Sequence, residues 1–176
     1  NLVIVSDHGQ GRYRQPVEAL LLDAFIDLTG ITAVDGGSYC FLHLDTPDPA
    51  RAELIRDRVN ARWQHGRAWL KHEAPAAWRV GDSPRFADII LVADAGHAVI
   101  SAEAQREKIN EGDHGWRPEA PDMHGIFLAW GPAFKQGART GPVRNVDVQP
   151  MLLQVLGLET PGPTDGNPDA LISILR

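Results

Sequence analysis

Apolar residues in this chain come in bursts of a few positions, broken by glycine, proline or charge, and that rhythm predicts many short strands and few helices. The first burst, Leu2 to Ser6, is mostly β-branched or apolar and has no polar alternation, the pattern of a strand buried on both faces. It stops at Asp7, His8 and Gly9, which places an acid and an imidazole at the carboxyl end of a strand, where open α/β sheets bind their ligands. Gln10 to Gln15 reads as a polar loop. Pro16 to Leu28 fits either a strand followed by a turn or a short helix. Ile31 to Val34 and Ser38 to Leu44 flank Asp35-Gly36-Gly37, a hairpin or bulged-turn signal.

Asp48-Pro49 opens the clearest helix, with an N-capping acid, a proline at the first helical position, and Leu54, Ile55, Val59 and Trp63 at helical spacing. Arg51, Arg56, Asp57 and Arg62 take its wet side, and Gly66 ends it. Short strands are predicted at Ala68 to Leu70, Ala77 to Val80, Ile89 to Val92, His97 to Ile100 and Gly125 to Trp130. Ser101 to Pro121 is a long polar loop, the kind of segment that carries function. Asn145 or Asp147 caps a last helix running through Met151, Leu152, Val155 and Leu156 to Gly157, and the tail from Thr160 to Asn167 wraps the surface.

Composition narrows the classes. With 176 residues, 43% hydrophobic and 23% charged, the chain has the makeup of a water-soluble globular protein, and no apolar run approaches the roughly 20 residues that span a bilayer. Its net charge of −6 is dispersed, which argues against a nucleic-acid-binding surface. The single cysteine, Cys40, reads as a small buried hydrophobe. The chain lacks an initiator methionine and opens inside what reads as a core strand, so the expectation is the C-terminal part of a longer domain.

Two Asp-His-Gly triplets carry the candidate chemistry, Asp7-His8-Gly9 at the strand end and Asp113-His114-Gly115 in the long loop. Imidazole nitrogen and carboxylate oxygen suit zinc, and an adjacent glycine lets the backbone turn into a site. The other histidines read differently: His43 as a packed strand residue, His65 and His72 as solvated, His124 as held by backbone, and His97 without a role. Trp116, just after the second triplet, reads as core or as pocket wall.

Val3 to Gly9, the block Gly112 to Trp116 followed by Pro121 to Phe134, and Asn145-Val146-Asp147-Val148-Gln149-Pro150 together resemble, in order and spacing, the nucleotide pyrophosphatase/phosphodiesterase branch of the alkaline phosphatase superfamily. The resemblance implies an α/β fold: the C-terminal part of an α/β/α sandwich with a mostly parallel central sheet, plus a small strand-helix insert, all within one catalytic domain. It implies two zinc ions, one held by Asp7 and His8 and the other by His114. Asp113 falls where the family varies and takes no ligand role. It further implies hydrolysis of a phosphodiester or pyrophosphate bond in a small nucleotide-like substrate, through a covalent phospho-enzyme. The nucleophile and the remaining ligands would lie in an upstream segment, in a periplasmic or extracellular protein. Gln10 and Gln149 depart from the family pattern at positions that bear on substrate rather than metal. The alternatives are a relative acting on phosphomonoesters, phospholipid head groups or phosphonates, or a metal-binding module without turnover.

Overall fold

The computed structural model describes residues 1–81, 83–159 and 162–176; Thr160 and Pro161, where the surface-wrapping tail is expected to start, lie outside the described residues. Ten strands occur among the described residues: β1 Leu2–Val5, β2 Gly11–Arg12, β3 Ala19–Leu21, β4 Ile31–Asp35, β5 Tyr39–Leu44, β6 Gly66–Leu70, β7 Ile89–Ala93, β8 Ala98–Ile100, β9 Gly112–Asp113 and β10 Phe127–Trp130. The α-helices there are α1 Pro49–Arg62 and α2 Asn145–Leu156. These elements divide into two compact units, one formed by residues 1–8 with 125–176 and the other by residues 9–124. No helix among the described residues is long and apolar enough to cross a membrane.

In the first unit, β1 pairs antiparallel with β10, from Leu2 opposite Trp130 to Val5 opposite Phe127. Val3, Phe127 and Ala129 line the inner face and pack with Val148 and Met151 of α2 and with Phe134, Leu171 and Ile174. The outer face differs from the doubly buried strand expected of Leu2 to Ser6: Leu2, Ile4, Leu128 and Trp130 are all 40–54% exposed. α2 carries Pro150 inside it and ends on Gly157, whose φ of 67° supplies the left-handed C-cap. Its N-cap position is Arg144, without a side-chain cap, so neither Asn145 nor Asp147 caps it as expected. Both lie in its first turn and are engaged elsewhere.

The second unit is built on an antiparallel sheet ordered β4-β5-β7-β6, with β3 and β8 pairing in parallel beside it. Pro16 to Leu28 resolves into β3 and a single 3-10 turn at Leu22–Ala24. The Asp35-Gly36-Gly37 hairpin forms as read, with Ile31 opposite Leu44. Along β5, Cys40 and Leu42 point into a core closed by Ala52, Ile55 and Val59 of α1. Tyr39 and Phe41 point into an aromatic cluster with Trp69, Trp78 and Phe86. Leu54, expected on the buried stripe of α1, is instead 51% exposed, and Ala52 completes the stripe.

Asp48 caps α1 as expected, its Oδ1 accepting from Arg51 N–H at 3.0 Å. Asn60 then ties the helix to β6 by exchanging two hydrogen bonds with the backbone of Ala68, at 2.8 and 2.9 Å. The strand expected at Ala77 to Val80 is a 3-10 turn, Ala76–Trp78, because N–H groups of Trp78 and Arg79 bond back to Pro75 and Ala76 rather than across to a neighbour. Among the described residues the α/β class is therefore carried by small sheets, antiparallel except where β3 meets β8.

Candidate functional site

Asp7 and His8 leave the end of β1 on a backbone fastened from several sides. Ser6 N–H donates to Ile126 O at 3.1 Å, and Ser6 Oγ accepts from Ile126 N–H at 2.8 Å. Gly125 lies so close that a Cβ there would fall 2.3 Å from Ser6 Oγ. Asn145, at the start of α2, donates from Nδ2 to the carbonyl of Asp7 at 2.7 Å. The third motif block thus holds the first by its backbone, a role the sequence did not assign to Asn145. Asn145→Ala is expected to lower the unfolding free energy by about 1 kcal/mol, the usual net worth of such a bond. Denaturant titration measures this, and an unchanged midpoint would mean that the bond does not hold the strand end.

The two side chains also converge. His8 N–H donates to Asp7 Oδ1 at 3.1 Å, and His8 Nε2 stands 3.6 Å from Asp7 Oδ2. Two ligands on one tetrahedral zinc, each about 2.0–2.1 Å from the ion, lie roughly 3.4 Å apart. The observed separation fits a shared ion, and the Asp7 side chain is 87% exposed, so further donors can approach it.

His114 belongs to the second unit and follows β9, which pairs with β2. Its loop is fixed by polar contacts around it. Asp113 accepts from the Tyr13 hydroxyl at 2.6 Å and from His114 N–H at 2.8 Å, while Ser38 Oγ donates to the His114 carbonyl. Burial, reinforced by that carboxylate, pushes the Tyr13 phenol well above its usual range, so it stays a donor. Asp113 therefore scaffolds the loop. Gly115 turns the chain at φ 95°, where a Cβ would strike Ser38 and Tyr39 at 2.8 Å. Trp116 is core: 3% exposed, it donates from Nε1 to His97 O at 2.9 Å and meets Tyr13 edge-on. Its loop also borders a cavity of about 200 Å³ walled by Tyr39, Phe41, Trp78 and Phe86, which suits a planar or apolar group better than a phosphate.

The remaining expectations divide. Cys40 is fully buried and free, with its thiol pushed up by burial and by Asp35, which makes it inert. His43 sits in β5 opposite Thr32, and His124 N–H donates to Pro121 O at 3.1 Å. His65 is exposed as expected, yet its ring stacks on His97 at 4.0 Å, and His97 is buried at 8%. Burial, then His65 and Arg14, hold the His97 imidazole below its ordinary range. No periodicity in the sequence brings these two rings together, because their meeting depends on strand pairing.

Comparison with known proteins gives a consistent family. The model of the type I phosphodiesterase / nucleotide pyrophosphatase family matches residues 1–117. Human bis(5'-adenosyl)-triphosphatase ENPP4 is 32% identical over 166 residues, covering 94% of this chain and 35% of that protein. Mouse ectonucleotide pyrophosphatase/phosphodiesterase family member 7 is 27% identical over 180 residues, covering 100% of this chain and 40% of its own length. The chain spans about a third of the length of the curated relatives it matches first. The solved structure of human ectonucleotide pyrophosphatase / phosphodiesterase 5 superposes with a TM-score of 0.85 at 25% identity, over 99% of this chain and 45% of that one. The motif blocks, the fold and the family match agree, and the chain belongs to the type I phosphodiesterase / nucleotide pyrophosphatase family.

Proposed function

We propose that the protein hydrolyses a phosphodiester or pyrophosphate bond of a small nucleotide-like substrate, with Asp7 and His8 holding one zinc ion and His114 holding a second. The observation that carries this reading is the pairing of His8 Nε2 with Asp7 Oδ2 at 3.6 Å, a spacing suited to one ion, at a strand end fixed by Ser6 and Asn145. When bound, two zinc ions supply charge neutralisation for a phosphoryl group and an activated oxygen nucleophile at neutral pH.

The protein's own residues set that chemistry up. Asp7 Oδ1 holds the His8 N–H, and Asp7 Oδ2 and the His8 imidazole form a pair of donors at the strand end. His114 is carried on a loop whose carbonyl and neighbouring carboxylate are both hydrogen-bonded, so its imidazole starts from a restrained backbone. Three donors do not close two sites of about four each. On this reading the others, with the attacking hydroxyl of a covalent phospho-enzyme, belong to an upstream segment of one shared catalytic domain. The exposed apolar outer face of β1 and β10 is a surface for such a segment to cover. A periplasmic or extracellular location goes with this reading.

Metal removal tests it. Dialysis of the intact protein against a chelator is expected to abolish hydrolysis of a chromogenic phosphodiester, and added zinc to restore it. Full activity in the chelated, metal-free protein would contradict the reading.

A further inference from the structure

A second group of donors includes none of Asp7, His8 and His114. One carboxylate oxygen of Glu18 and one nitrogen each of His65 and His97 fall within 4.8 Å of one another. They come from three segments: Glu18 precedes β3, His65 lies between α1 and β6, and His97 precedes β8. Each backbone is held by hydrogen bonds. Ala98 N–H donates to Glu18 O at 3.4 Å, Asp94 N–H to His65 O at 2.9 Å, and His97 N–H to Asp94 O at 2.9 Å. Trp116 adds its indole donor to His97 O at 2.9 Å. The three backbone positions therefore follow from the unit's framework, while the Glu18 and His65 side chains are exposed.

We propose that Glu18, His65 and His97 form a separate site for a borderline divalent transition ion such as zinc, with water as the fourth donor. Two imidazoles and a carboxylate are a ligand set zinc takes, and an open fourth position suits the exposed edge formed by Glu18 and His65. Binding requires the His65–His97 stack to open. Donors on tetrahedral zinc lie about 3.4 Å apart, and an ion sits in the plane of each ring it binds. Rings stacked at 6° from parallel do not both meet that condition, so one must turn. His65 is exposed and has room to do so, while His97, 8% exposed, serves as the fixed ligand. Asp94 and Glu18 bring negative charge to His97, against the positive charge of Arg14. The site would join the α1–β6 connection to the start of β8, a structural clamp within this unit.

The test uses the intact protein in a His8→Ala, His114→Ala background, which removes both imidazoles assigned to the proposed catalytic centre. Zinc bound per protein after equilibrium dialysis is expected to fall by one equivalent on adding His65→Ala, and likewise on adding Glu18→Gln. The zinc-dependent rise in Tm should disappear with it, while the metal-free Tm stays the same. Zinc stoichiometry and a zinc-induced Tm shift unchanged by either substitution would overturn this ligand set. In the otherwise wild-type protein His65→Ala should leave hydrolysis intact, so failure of this site and failure of the catalytic reading are read separately.

Discussion

His8→Ala and His114→Ala are each expected to lower kcat/KM for a phosphodiester substrate by roughly 10³-fold, about 4 kcal/mol of barrier. The magnitude follows from what each imidazole is asked to do. His8 supplies one of the two proposed donors that stand 3.6 Å apart at the end of β1, and its loss leaves Asp7 as this chain's one donor there. His114 is the donor proposed on the long loop, and removing it takes away the only donor this chain gives the other proposed position. Residues that act as a unit are not additive, so the double variant should be little worse than either single one. The His8 side chain is 37% exposed and that of His114 is exposed as well, so neither substitution opens a core cavity, and stability should stay within about 0.5 kcal/mol. Steady-state kinetics with parallel unfolding curves measures both. Activity within about tenfold of wild type in folded variants would remove these histidines from the chemistry.

Gly9→Ala is expected to destabilise the protein by about 3 kcal/mol, the upper end for forcing one methyl into a packed site. A Cβ on Gly9 would lie 2.1 Å from the carbonyl oxygen of Asp122 and 2.6 Å from that of His124. Both obstacles are backbone and have no rotamer to yield. The Gly9 N–H is moreover bonded to Met123 O at 2.9 Å, so the segment cannot slide away without losing that bond. Gly141→Ala is the control, since nothing lies within 4 Å of a Cβ placed there, and it should be neutral. Urea unfolding compares the two, and equal midpoints would show that Gly9 is free to move.

The candidate chemistry is more legible in the chain than the pairings are. Asp7, His8 and His114 stand out by residue type and by flanking glycines, and the Asp48-Pro49 start of α1 is legible because a cap and its proline are local signals. Ala77 to Val80 misleads because a turn rich in apolar residues has the composition of a short strand, and only hydrogen bonding to Pro75 and Ala76 tells them apart. Asn145 and Asp147 suggest capping because both are good capping types. Asn145 instead reaches the Asp7 carbonyl, 138 positions away, and Asp147 accepts from Asn167 N–H at 2.8 Å. β2 and β9, two residues each, have no periodicity to detect. The stacking of His65 on His97 depends on tertiary placement, which single-sequence patterns do not encode.

The central claim concerns where zinc binds, and anomalous scattering at the zinc edge from crystals of the intact protein locates it directly. The account predicts two zinc peaks, one contacted by Asp7 and His8 and the other by His114. Zinc-loaded crystals in which Asp7, His8 and His114 contact no peak would contradict it.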